Sequence, residues 1–522
     1  MKRKLNLLLL LSFCFVTDMA IGQKLTIEGV RKAYLRNAGE ILENNEVRGY
    51  YFFYQSDKID KKTNEYTVQI TDENANKVKD IKFQDGKDIE LLESSYNGNT
   101  IMFLFKDDKE KTLEYRAYGF DGKQKFTYTK ELNKRSNALI DDTYGSKSED
   151  GQNEALFDIH NIGYVTVYPV KEKKYFSYEV NMFFTSQRKQ WTYEAAEEQD
   201  DRWASAVYLG NTDSLVLFEI VKQKTILGGN PHSWLLGLNM FTGKKAFEIK
   251  TELEDYKFYP MNITSLQGKS EYLVLGSYYE PDAKIMKDKN LGIATWTMDS
   301  KGNVLAKKYN SWDGEIGKYL DIDKRGRVKN VGFIYFHKIF QSADGRIFAV
   351  GEGYEKVVSG LGTAAGALAM LGGGRSNIAM FKIRVTDLLL MEFDPNFKIA
   401  NATVYDKNSN SVEMPSGASY LSPHAMALLV RAFGEFDYSY TKQNSDRTEF
   451  VVGYSDYEKS KDFKGVTFNT ISQRGNKIST DKLQVSSKAS RMRLFPAKTG
   501  FVGIYEYFKK DKRLEFRIEK MN

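Results

Sequence analysis

The feature that most limits what this chain can fold into is a repeat that is complete in the middle and incomplete at both ends. Eight short turns, at Arg48-Gly49, Asn97-Gly98, Ile162-Gly163, Leu209-Gly210, Gln267-Gly268, Asp344-Gly345, Ser445-Asp446 and Thr499-Gly500, each lead into a strongly apolar strand. A second family alternates with them at Thr71 to Asn76, Phe120 to Lys123, Thr185 to Gln187, Phe241 to Lys244, Asp299 to Asn303, Phe393 to Asn396 and Ser472 to Asn476. Asp, Asn, Gly and Ser there join two strands tightly. One unit therefore reads as four strands, and the early units recur at roughly the spacing of a propeller blade. The last unit stops at its third strand, Leu514 to Ile518, while an unassigned alternating segment, Lys24 to Glu28, precedes the first. Pairing the two leftovers closes a ring and removes two exposed edges, which are templates for aggregation.

The chain is thus expected to be all-β, a β-propeller of eight four-stranded blades closed by its N- and C-terminal strands. Seven blades, or several separate β-sandwiches, are the competing arrangements. Composition agrees, since 33 Tyr and 33 Phe against 8 Pro in 522 residues favour pleated, half-buried surfaces. Residues 1–22 read as a secretory signal, with Lys2, Arg3 and Lys4 before the apolar run Leu5 to Val16 and a small-x-small end at Ala20-Ile21-Gly22. Cleavage is expected after Gly22, leaving residues 23–522 as one propeller domain with insertions at 355–377 and 407–434, periplasmic or secreted and monomeric. The single cysteine, Cys14, lies inside the signal, so disulfides and thiol chemistry are not expected of the mature chain. A net charge of +7 dispersed over the whole length disfavours nucleic acid as a partner, because nucleic-acid binders gather their cations on one face.

One hairpin is more telling than the others: Leu236 to Phe247, with Thr242-Gly243-Lys244 at its turn. It resembles the hairpin of quinoprotein-type propeller blades, with Asn239 or Met240 where those blades carry Asp and Phe247 where they carry Trp. Tyr118 to Phe126 is a second copy. The resemblance implies the blade, and no quinone or other cofactor is carried over with it. The signal, a mature chain without cysteine and the degenerate blades together resemble uncharacterised exported propeller-like proteins of Bacteroidota.

Two insertions break the period. Val357 to Gly374 has no charged residue and is placed between the second and third strands of the sixth unit, with Leu361, Ala365, Leu368, Met370 and Leu371 as candidate contacts to a partner or membrane. Lys407 to Gly434, assigned to the seventh unit, contains Ser422-Pro423-His424 before an apolar run, which predicts a short helix capped by Ser422 and packed on a blade.

Chemistry is sparse. The four histidines do not cluster, Asp321 to Gly326 lacks the third oxygen of a calcium loop, and no nucleophile elbow, phosphate loop or dinucleotide fingerprint occurs. No catalytic, cofactor or metal residue is therefore assigned. A ligand is expected at the central mouth, where the presumed innermost strands carry Asp158, His160, Arg202, Trp203, Tyr259, Tyr335, His337, Arg491 and Arg493. The favoured role is an exported non-catalytic binding or scaffold protein with an envelope or extracellular partner, protein or glycan. The alternative is a glycoside-acting or other hydrolytic enzyme using acidic residues at the channel mouth.

Overall fold

The computed structural model describes residues 23–144, 154–172, 175–186, 189–195, 203–224, 231–285, 288–358, 378–415, 422–475 and 477–521. The expected signal at 1–22, Arg202 and the five apolar candidates between Leu361 and Leu371 lie outside them.

Eight antiparallel units follow one another. Blade 1 is built from Gly39–Glu43, Glu46–Lys58, Thr63–Asp72 and Lys77–Gly86. Blade 2 takes Ile89–Tyr96, Thr100–Asp107, Thr112–Gly119 and Gln124–Glu131, and blade 3 takes Leu156–Ile159, Gly163–Lys171, Phe176–Phe184 and Lys189–Glu194. Blade 4 runs Trp203–Asn211, Leu215–Gln223, His232–Asn239 and Lys245–Lys250, and blade 5 runs Lys257–Ser265, Tyr272–Tyr279, Gly292–Met298 and Val304–Ser311. Blade 6 comprises Phe333–Gln341, Ile347–Val358, Ile378–Phe393 and Ile399–Tyr405, and blade 7 comprises Tyr438–Gln443, Glu449–Lys459, Lys464–Arg474 and Lys477–Val485. Blade 8 draws Arg491–Pro496, Phe501–Phe508 and Arg513–Lys520 from the end of the chain and Gln23–Ile27 from its beginning.

That last pairing is the expected closure. Gln23 stands opposite Ile518 and Ile27 opposite Leu514, in antiparallel register. Side chains enforce the ring as well as the ladder. In Tyr50-Tyr51-Phe52-Phe53, alternate residues point to opposite faces. Tyr50 and Phe52 pack on Phe495, Tyr505 and Phe516 of blade 8, whereas Tyr51 and Phe53 pack on Phe103 and Phe105 of blade 2. Comparable cores fill each successive interface, for example Leu217 with Tyr272 between blades 4 and 5 and Phe348 with Phe450 between blades 6 and 7. The count is therefore eight, because the sequence of blade-to-blade cores returns to its start.

Outer strands dock on the next blade at turn glycines. Gly243 has φ +71°, and a Cβ there would lie 2.6 Å from the Trp191 ring of blade 3, whose Nε1 donates to the Met240 carbonyl at 2.8 Å. Phe247 of blade 4 repeats the contact over Gly302 of blade 5.

Two expected turns prove to be bulges. Arg48-Gly49 lies inside the second strand of blade 1, where the register slips between Ile41 and Leu42, and the true hairpin turn is Asn44-Asn45 with φ of +51° and +61°. Leu209-Gly210 lies inside the first strand of blade 4, at a slip between Tyr208 and Gly210. A glycine within a strand marks a bulge as readily as a turn, which is why spacing alone misplaced both.

The 407–434 insertion belongs between blades 6 and 7, and its strand Asn410–Pro415 pairs with the third strand of blade 6. Helix α2, Pro423–Ala432, follows, with the Ser422 hydroxyl accepting from the Ala425 N–H and Pro423 in the first turn. Its apolar face, Met426, Ala427 and Val430, covers Tyr335, Tyr354 and Ile383 of blade 6. Helix α1, Lys134–Tyr144, connects blades 2 and 3 and was not anticipated. Both helices lie between the outer strand of one blade and the innermost strand of the next, on the face of the ring where each innermost strand begins. Among the described residues, no helix is long and apolar enough to cross a membrane.

Candidate functional site

An innermost strand meets water chiefly in the axial channel, so a side chain that is exposed there and yet crowded by protein marks the lining. Asp158, on the first strand of blade 3, is such a residue: exposed, held by the Ser95 hydroxyl at 3.1 Å, and with its pKa raised above the usual carboxylate range by desolvation. Burial also raises Glu40 of blade 1, against the opposing fields of Arg493 and Lys442. Lys338 of blade 6 is exposed and its field reaches Asp158. Lys442 of blade 7 is half-buried, and desolvation lowers its pKa against the pull of Glu40. Charges from blades 1, 3, 6, 7 and 8 thus share one field along the axis, with acids on one arc and cations on the other.

The mouth on the helical face has its own set. Arg431, near the end of α2, donates from Nη1 to the Tyr335 hydroxyl at 3.1 Å, and its field reaches Glu154 at the entrance to blade 3. Arg493 donates from one nitrogen to the carbonyls of Leu35 (3.0 Å), Ala38 (3.2 Å) and Arg36, tying the turn before blade 1 onto blade 8. Burial lowers its pKa, and Glu154 lies within its field too. Glu93 of blade 2 accepts from the Ala155 and Leu156 N–H groups at 2.7 and 3.1 Å, and burial pushes its carboxyl up to about 7.

Of the candidates named from sequence, Asp158 and Arg493 thus belong to the axial charge array. His160 is exposed beside Gly98 at the opposite end of the channel from α2. Tyr259 is buried beneath α2, its ring edge-on to His424 at 4.3 Å. Tyr335 stacks on Phe436 at 5.1 Å and supports Arg431. Trp203 bridges blades 3 and 4 in parallel with Phe176. Arg491 opens the first strand of blade 8, half-buried. His337 does not line the channel. It is the extra residue of a bulge between Phe336 and Lys338, so its imidazole turns between blades 6 and 7, stacks on Tyr438 at 4.5 Å and reaches Glu352 at 3.2 Å. The same bulge sends Lys338 to the channel instead.

Sequence reasoning passed over Glu40, Lys338, Lys442 and Arg431. It also passed over Glu219, a buried carboxyl on the second strand of blade 4 that accepts from the Ser233 hydroxyl at 3.3 Å. Desolvation pushes it up to about 8. A carboxyl whose folded pKa exceeds its unfolded value stabilises the fold fully below about pH 4.5 and loses that contribution as pH rises to about 8. Glu219→Gln is therefore expected to match the parent near pH 4.5 and exceed it by several kcal/mol at pH 8.5, measured by urea denaturation. Equal stability at both pH values contradicts the assignment.

A separate cleft of about 710 Å³ opens beside blade 6, between residues 321–332 and 384–409. Its cations are neutralised in the wall: Arg327 meets Asp323 at 2.6 Å, Lys329 meets Asp321 at 3.0 Å, and Arg384 meets Glu355. Among the described residues, no group of three or more His, Cys, Asp or Glu is placed to hold a metal ion.

Among solved structures, the β-propeller domain of the Trilobed protease from Pyrococcus furiosus is 10% identical, over 72% of this chain and 95% of that one, with a TM-score of 0.30. A prolyl endopeptidase chain is 8% identical over 85% of this chain and 55% of its own, with a TM-score of 0.32. An ACO/RPE65 chimera is 8% identical over 50% of this chain, with a TM-score of 0.28, and this chain spans 58% of the chimera's length. Likenesses of that size say nothing about activity, and the eight-bladed ring stands on its own pairing. No curated protein matches the chain.

Proposed function

Given that the chain belongs, over residues 1–522, to the family of unknown function DUF6770, we propose from its geometry that it is an exported, non-catalytic binding protein. Its partner is an envelope or extracellular protein or glycan, engaged at the helical face of the propeller. The observation that carries this reading is the axial array of Glu40, Asp158, Lys338 and Lys442. Among the described residues these four make no ion pair within 4 Å, so they stay available to something that enters the channel. Export is read from the leader pattern of residues 1–22, with Lys2, Arg3 and Lys4 before the apolar run Leu5 to Val16, and the likeness of the Thr242-Gly243 hairpin to quinoprotein-type blades is read as shared blade packing without the cofactor.

A hydrolytic reading has one observation in its favour. Glu40 and Asp158 both carry raised pKa values, the property a general acid needs. The two readings separate in one experiment, in which the mature chain is offered soluble envelope polysaccharide fractions and chromogenic glycosides. Saturable binding without turnover is expected. Turnover that disappears in Glu40→Gln or Asp158→Asn overturns the binding reading.

A further inference from the structure

The channel and its helical mouth carry four cations on one side, and the acids whose fields reach them, Glu40, Asp158 and Glu154, stand across from them on blade 1 and at blade 3. Among the described residues, Lys338, Lys442, Arg431 and Arg493 make no ion pair with any carboxylate within 4 Å. This is unlike the cleft beside blade 6, where Arg327, Lys329 and Arg384 each meet an acid in the wall. A guanidinium offers five N–H donors in a planar fork. Arg431 donates from Nη1 to a hydroxyl and Arg493 from Nη1 to backbone carbonyls. For Lys442, Arg431 and Arg493, which burial desolvates, a missing counter-charge is costly, and an entering anion offsets that cost. Glu40 and Asp158, on the facing arc, have their carboxyls raised above the usual range by burial, and a carboxyl oxygen accepts from a hydroxyl group.

We propose that the axial channel is a binding site for an anionic small molecule or glycan end group, with its carboxylate or phosphate on the arc of Lys338, Lys442, Arg431 and Arg493 and its hydroxyl groups toward Glu40 and Asp158. The proposal rests on the binding reading above and names the class of ligand. Low-dielectric walls around the axis strengthen the field that such a group experiences on entry.

The test is isothermal titration of the mature chain with glucuronate, inorganic phosphate and neutral glucose at low salt. Saturable binding of at least one anion is expected, with none for glucose. Tighter glucuronate points to a planar saccharide carboxylate, and tighter phosphate to a phosphoryl group. Lys338→Ala and Lys442→Ala each weaken the anion about tenfold, whereas Lys301→Ala, at an exposed hairpin turn, leaves it unchanged. Circular dichroism of each variant establishes that it is folded. Absence of saturable anion binding, or parent-like binding by both channel variants, overturns the proposal. If polysaccharide fractions still bind when the anions do not, the ligand class alone is wrong. Turnover of a glycoside with anion binding retained removes the binding reading instead.

Discussion

Deleting Gln23–Ile27 is expected to drive concentration-dependent association beyond the parent's own state and to lower the melting temperature by several degrees. These residues are the fourth strand of blade 8, and their removal bares the whole hydrogen-bonding edge of Arg513–Lys520. It also uncovers one side of the core in which Leu25 and Ile27 pack near Phe516, and it breaks the Lys24–Glu515 ion pair at 2.9 Å. Five ladder positions at about 0.5–1.5 kcal/mol per hydrogen bond, with two aliphatic side chains, make a loss of several kcal/mol. Association follows because a bare strand edge pairs with whatever strand is offered, including the same edge of another molecule. Light scattering after size exclusion, with thermal unfolding, reads both effects. Phe516→Ala separates them: Phe516 is 1% exposed and stacks against Tyr50, Phe52 and Phe495 with centroids 4.6, 5.0 and 5.4 Å apart. Its truncation costs about 3–5 kcal/mol but leaves the edge paired and the parent's state of association unchanged. A deletion variant that keeps the parent's state of association and an unchanged melting temperature contradicts the ring seam.

The ring was legible in the sequence because its physical cause is local. Turn residues at hairpins, alternation in Tyr50 to Phe53 and a half unit at each end are all written along the chain, and an edge that needs a partner leaves few topologies. The channel lining was legible only in part, for a reason that His337 makes plain. Five innermost strands carry one extra residue, at Leu92, Leu209, Met261, His337 and Ser439, and each slip moves the following side chains to the other face. Reading alternate positions therefore selected His337 and passed over its neighbour Lys338. Blades 3 and 8 have innermost strands with no slip, and they hold the two candidates, Asp158 and Arg493, that join the axial array. Arg431 was hidden differently. It sits on an insertion, and only tertiary packing of α2 over Tyr335 brings it to the mouth.

Lys407→Met is expected to cost about 3–5 kcal/mol at neutral pH and to loosen α2, because one buried cation holds both ends of the 408–436 excursion. The Lys407 ammonium is fully buried, 3.2 Å from Glu352 and 2.5 Å from Asp437. Glu352, itself fully buried, also accepts from the Asp437 and Tyr438 N–H groups at 3.1 Å each. The chain leaves blade 6 at Lys407 and re-enters blade 7 at Tyr438, so both ends of the excursion are clamped to one carboxylate. Without the ammonium, two carboxylates face each other in a site that hydrates them poorly. The deficit then depends on pH in a stated direction. Burial already pushes Asp437 up to about 6 in the parent, so its contribution to stability is present below its unfolded pKa of 3.8 and is lost as pH rises toward 6. Loss of Lys407 removes a cation whose field lowers Asp437, which moves that window to higher pH. The lowered pKa of Glu352 works the other way, stabilising the parent above its unfolded value of 4.5 only while Lys407 and His337 are there to favour its charge. Lys407→Met is therefore expected to fall furthest behind the parent above pH 7 and to recover much of the difference at pH 5. Asp437→Asn added to it restores part of the loss at pH 8. Limited proteolysis between 408 and 436 reports the release of α2, and denaturant unfolding at pH 5 and pH 8 reports the energy. A deficit of the same size at both pH values, or cleavage no faster than in the parent, shows that something other than this charge cluster holds the excursion over the channel mouth.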